Sequence, residues 1–97
     1  MSTAADVVTA TLTLPKSLRI ADVAEVRAQC DAALAGAGPL VCEAEHLEQV
    51  DAAGLQLLVA LSRACAANAR GFELRTPSAA LLGAARSCGF APLLGLA

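Results

Sequence analysis

The stretch Val50-Asp51-Ala52-Ala53-Gly54-Leu55-Gln56-Leu57-Leu58-Val59-Ala60-Leu61 constrains the chain more than any other. It sets one acidic residue between a strand-like region and a long helical pattern. Asp51 suits an N-cap, because a carboxylate there accepts first-turn amide hydrogens and favours the positive end of the helix dipole. Small residues follow and keep the backbone of that helix start accessible. At about 3.6 residues per turn, a helix is predicted from Ala52 to Ala69. Leu55, Leu58, Val59, Ser62, Cys65 and Ala66 share its core face, with Leu61 at the edge. The opposite stripe holds Ala53, Gln56, Ala60, Ala64 and Ala67, flanked by Leu57 and Arg63. A helix that met only water would carry more charge there. A smooth docking surface and a general abundance of alanine account for the stripe equally well.

The flanking chain supplies the other layers. Residues 7–14 alternate, with Val8, Ala10, Leu12 and Leu14 on one face and Val7, Thr9, Thr11 and Thr13 on the other, and Pro15 ends this half-buried strand. Lys16 to Ala21 form a connection with a short extended piece around Leu18 and Ile20. Asp22 and Glu25 resemble a capping box for a first helix that buries Val23, Val26, Cys30, Ala33 and Leu34 and stops at Gly36 or Gly38, before Pro39. Leu40 to Ala44 read as a central strand, and residues 45–49 as a polar connection. Gly71 ends the second helix. Phe72 to Arg75 form a third strand, and Thr76-Pro77 give the cap and first turn of a third helix that buries Leu81, Leu82, Ala85 and Cys88 and stops at Gly89. Phe90 to Leu94 fold back over the core. The order β-α-β-α-β-α predicts an α/β domain with a short, mostly parallel sheet packed by three to four helices, crowded onto one side. Residues 1–97 form one domain, with a flexible N-terminus at 1–6.

Composition excludes several classes of function. Phe72 and Phe90 are the only aromatic residues, which leaves no aromatic cage or base-stacking platform. A net charge of -2 argues against nucleic acid as a partner. No apolar run is long enough for a membrane span, and Met1 to Asp6 lack the features of a signal peptide. Cys30, Cys42, Cys65 and Cys88 are scattered and sit in helical or strand patterns, where thiols act as small buried hydrophobes; this fits a reducing, cytoplasmic setting.

Candidate chemistry is sparse. His46 is the only histidine and lies in a polar loop. Glu43, Glu45, Glu48 and Asp51 lack the glycine and ligand alternation of a calcium loop. Ser17, Ser62, Ser78 and Ser87 have no histidine in a triad relation, and no glycine-rich phosphate loop occurs. The expectation is a chain without catalytic residues, metal or cofactor.

The element order and the segment Val50 to Leu58 together resemble the STAS family, whose motif runs apolar-Asp-Ser/Thr-Ser/Ala-Gly-Leu at the start of its second helix. Leu18 to Asp22 and Arg75 to Ser78 match further, so the similarity covers residues 7 to 94. STAS domains resemble bacterial anti-sigma factor antagonists and the cytoplasmic tails of sulfate transporters. The resemblance implies a non-enzymatic switch or adaptor. In the antagonist branch a partner kinase phosphorylates the residue before the motif glycine; here that position is Ala53, and its neighbour is Ala52. Neither accepts a phosphate, so the expected module is not switched there.

The resemblance thus implies a partner-binding face of Asp51, Ala52, Ala53, Gly54, Gln56, Leu57, Ala60 and Arg63. Its expected partner is a kinase-like anti-sigma factor or a chemotaxis or two-component protein. The alternative is the ATPase subunit of a lipid-asymmetry ABC transporter, for which the chain would be the cytoplasmic STAS subunit. A second copy of the chain is admitted as a partner; nucleic acid and direct membrane insertion are not. A small-molecule binder at the amides of Ala52 to Gly54 is the third reading, and Asp51 itself disfavours an anion there. Phosphorylation of Ser62, Ser78 or Thr76 stays open, although Ser62 reads as buried and Thr76 as a cap.

Overall fold

In the computed structural model, residues 9–96 are described. The flexible N-terminus expected at 1–6, and positions 7 and 8 of the first strand, lie outside them. Strands β1 (Ala10–Thr13), β3 (Leu40–Glu43) and β5 (Phe72–Arg75) form a parallel sheet in the order β1-β3-β5. A second parallel pair joins β2 (Ser17–Leu18) to β4 (Gln49–Val50), with Leu18 opposite Val50. The helices are α1 (Val23–Leu34), α2 (Ala52–Ala67) and α3 (Ala79–Ser87), and short 3-10 turns occupy Ile20–Asp22 and Pro92–Leu94.

β3 is central, as its unbroken apolar run requires, and Leu40, Val41 and Cys42 are all buried. One face of the sheet carries Ala10, Leu12, Leu40, Cys42, Phe72 and Leu74, and all six belong to or pack against one core. Buried residues of all three helices join the same core, including Val26, Leu58 and Leu81. The other face carries Thr11, Thr13, Glu73 and Arg75, all exposed, on either side of the buried Val41 and half-buried Glu43 of β3. The helices therefore crowd onto the apolar face, as a small amphipathic sheet dictates. Ala91 and Leu94 of the C-terminal segment are buried against that core as well.

Several local expectations are corrected. The capping box does not form at α1, because Asp22 Oδ2 turns back to accept from Ser17 Oγ at 2.7 Å and from the Arg19 amide at 3.0 Å. It closes the 3-10 turn instead. Leu47, read as part of a polar connection, is 1% exposed and fills the core ahead of β4. On α2 the buried arc is rotated toward α1: Leu61 is buried, Ser62 is half-buried and Ala66 is exposed. A helix packed against both the sheet and a neighbouring helix buries a wider arc than a one-sided wheel describes.

The helix ends differ too. α2 closes at Asn68 and Ala69, not at Gly71. The Arg70 amide donates to Cys65 O at 2.8 Å and the Ala69 amide to Ala66 O at 3.1 Å, with Ala69 at φ 55°. This is a Schellman closure with alanine in the left-handed position. The cap of α3 is Ser78, whose Oγ accepts from the Leu81 amide at 3.1 Å. Thr76 does not cap: its backbone is left-handed at φ 52°, whereas Ser78 is extended at φ -68° and ψ 161°, the conformation of an N-cap. Cys88 is exposed at the C-cap of α3 rather than buried, and Gly89 stops the helix at φ 75° as expected.

Candidate functional site

The β2–β4 pair brings residues far apart in sequence to one end of α2. Asp51 is extended at φ -117° and caps α2 with Oδ1, which accepts from the Gly54 amide at 3.0 Å. Its second oxygen, Oδ2, accepts from the Ile20 amide at 3.0 Å. One carboxylate thus joins the start of α2 to the 3-10 turn before α1. The Gly54 amide, then the Ile20 amide, holds the Asp51 carboxyl below its ordinary pKa of 3.8, since both bonds favour the charged form. Asp22 is lowered likewise, by the Arg19 amide first and the Ser17 hydroxyl next. Ile20 is 75% exposed, so the Asp51 bond fixes a turn that presents a large apolar side chain to solvent.

A groove of about 510 Å³ runs between α1 and α2. Ala53, Gln56, Leu57 and Ala60, all singled out from the sequence, line its α2 wall. Ala52 and Arg63 are exposed outside the groove. Gly54 is buried beneath the helix start, where it shapes the site without lining it. Asp51 lies half-buried behind the entrance and acts through its two hydrogen bonds.

Sequence reasoning missed the other wall: Ile20, Val23, Arg27, Asp31 and Leu34, all lining residues of the same groove. Arg27 and Asp31 read as the solvated side of α1, and nothing in their spacing reveals that α2 lies beside them. His46, Glu45 and Glu48 are exposed on the loop before β4, and Ser62 is half-buried along α2. No helix among the described residues is long and apolar enough to cross a membrane.

This arrangement of a parallel sheet, an aspartate-capped helix and a groove beside its start defines a STAS-type domain. The chain belongs to the STAS family: the family model described as "Mlab, STAS domain" matches residues 1–95. Among solved structures, the anti-sigma factor antagonist SpoIIAA in its unphosphorylated form is similar at 24% identity, with a TM-score of 0.69 over 88% of this chain and 76% of that one. A sulfate transporter family protein from Wolinella succinogenes is similar at 17% identity, with a TM-score of 0.71 over 90% of this chain and 71% of that one. At such identities the likeness is one of fold. No curated protein matches the chain.

Proposed function

We propose that this chain is a non-enzymatic, cytoplasmic docking module that regulates a protein partner through the face around Asp51 to Leu57 and Ala60. The observation that carries the reading is the setting of Ala53. It occupies the position before the buried Gly54, at the wall of an apolar groove, and offers no hydroxyl. A phosphate at such a helix start would bring charge onto a surface that otherwise docks apolar groups. With alanine there, no phosphate can be placed at this position, and the module is not switched through it. The likeness in fold to an anti-sigma factor antagonist supports a partner in signalling.

A second reading is favoured by the family match, whose description is "Mlab, STAS domain". In that reading the chain is the accessory STAS subunit of a lipid-asymmetry ABC transporter and binds its ATPase. Affinity capture of the tagged chain from its own cells, with Ala60→Glu as control, separates the two. Specific recovery of an ABC ATPase supports the transport reading, and recovery of a histidine-kinase-like or chemotaxis protein supports the signalling one. Ala60 is exposed on α2, so the substitution leaves the fold intact. Equal recovery by wild type and Ala60→Glu counts against this face in either reading.

A further inference from the structure

The groove between α1 and α2 has a charge pattern that complements itself. Arg27 and Asp31 stand one turn apart on the α1 wall, both exposed. Among the described residues the ion pairs are those of Arg75 with Glu43 and Glu73, and neither Arg27 nor Asp31 has an ion-pair partner among them. The two residues straddle the middle of the α1 lining, which runs from Val23 to Leu34. On α2 the lining runs from Ala53 to Ala64, and its middle falls between Leu57 and Ala60.

We infer that this groove is the contact between two copies of the chain, related by a two-fold axis lying across the groove at its midpoint. Such an axis sets α1 antiparallel to its mate and α2 antiparallel to its mate. Arg27 of one copy then meets Asp31 of the other, and the pair occurs twice, as an isologous interface requires. The same operation sets Leu57 against Ala60 of the second copy, again twice, so that a large side chain fills the space left by a small one. Ala53 meets Ala64, and the apolar end at Ile20 and Val23 meets the apolar end at Leu34. Opposite charges placed on a partly apolar contact fix register and direction more than they add raw affinity.

The consequence of the contact rests on the docking reading above, although the contact itself does not. Ala53, Gln56, Leu57 and Ala60 would be covered in the pair, so self-association and partner binding would exclude each other.

Light scattering on size-exclusion fractions of the full chain, across a dilution series, tests the inference with no partner present. The expected wild-type result is a concentration-dependent shift from the 9.7 kDa monomer to twice that mass. Arg27→Asp or Asp31→Arg alone places like charges across both pairs and should weaken association at least about tenfold. The double variant Arg27→Asp/Asp31→Arg restores opposite charges only when the second partner is another copy of itself. It should return to within about threefold of wild type. Both positions are exposed, and circular dichroism verifies that each variant is folded. A wild-type monomer throughout the series, association indifferent to the reversals, or a double variant as weak as the singles would each overturn the inference. Loss of partner capture by Ala60→Glu would not move these results, so the two readings fail separately.

Discussion

Gly54 lies directly against Leu18. A Cβ built on Gly54 would overlap the Leu18 carbonyl oxygen and reach 2.9 Å from Leu18 Cγ and 3.0 Å from Val50 Cγ2. The glycine of the motif is therefore required by the close approach of α2 to the β2–β4 pair. Its obstacle is backbone, which cannot turn aside as a side-chain tip can. Gly54→Ala is expected to destabilise the domain by about 3 kcal/mol, at the upper end for overpacking. A urea titration should show a lower midpoint with an unchanged slope. A midpoint within error of wild type would mean that α2 shifts freely, and the packing account would fail.

The two bonds of Asp51 can be separated by Asp51→Asn. An asparagine oxygen still caps α2 through the Gly54 amide, whereas its NH2 group then faces the Ile20 amide as a second donor. Hydrogen exchange should speed up at Ile20 and remain slow at Gly54. The pH dependence has a definite sign. The folded-state pKa of Asp51 is depressed below 3.8, so its contribution is present above the unfolded value and is lost as pH falls through the lower, folded value. The stability gap between wild type and Asp51→Asn should hold at neutral pH and close only below about pH 3.8, which acid unfolding of the two proteins would check.

What the sequence made legible follows from how local each signal is. Asp51 as the cap of α2, the apolar run of β3 and the stop at Gly89 depend on neighbours within one turn or one strand, and all were readable. The role of Ile20 was not, because its amide meets an acceptor 31 residues away that only the β2–β4 pairing brings near. Leu47 sits among Glu45, His46, Glu48 and Gln49 and so reads as loop, yet its side chain is buried in the core. The groove was half legible. The alanines of α2 stood out from the usual polar face, whereas Arg27 and Asp31 looked like any solvated pair until α2 was placed beside them.

Arg70 is a further case of the same kind. It is only 9% exposed and has no carboxylate partner among the described residues. Its Nε donates to Gly38 O at 2.6 Å and its Nη1 to Ala33 O at 3.3 Å. The guanidinium thus closes the C-terminal end of α1, where free carbonyls and the negative end of the helix dipole favour a cation. Arg70→Met keeps the apolar stem and removes both donors, which leaves Gly38 O without its donor and Ala33 O with the Gly36 amide alone. The expected cost is about 2 kcal/mol by chemical denaturation. Arg70→Lys should recover only part of it, since one ammonium cannot span both carbonyls with the geometry of the fork. Full recovery by lysine would reduce the role to simple charge.

Among the described residues, two other than glycine hold left-handed backbone, Ala69 at φ 55° and Thr76 at φ 52°. The Cβ of each crowds the following peptide, and branching makes the conformation rarer still for threonine. Ala69→Gly should stabilise the domain by about 0.5 kcal/mol, after allowance for the greater freedom of glycine in the unfolded chain. Thr76→Gly should give a larger gain, about 1 kcal/mol. Both positions are exposed, so differences in melting temperature report the backbone and not lost packing. A loss of stability at both sites would contradict the assignment of strain.

The four thiols should divide cleanly by environment. Cys30, Cys42 and Cys65 are buried and Cys88 is exposed. Burial raises all three buried thiols above the ordinary value, and Cys42, the central-strand thiol, is pushed up to about 12. Alkylation proceeds through the thiolate, so both inaccessibility and the raised pKa protect these three at neutral pH. Brief treatment of the folded protein with iodoacetamide should add one group, at Cys88. Treatment in denaturant should add four, and mass spectrometry counts both. If Cys30, which lines the groove at 3% exposure, also reacted in the folded protein, the groove would have to open wider than the fixed surface described above.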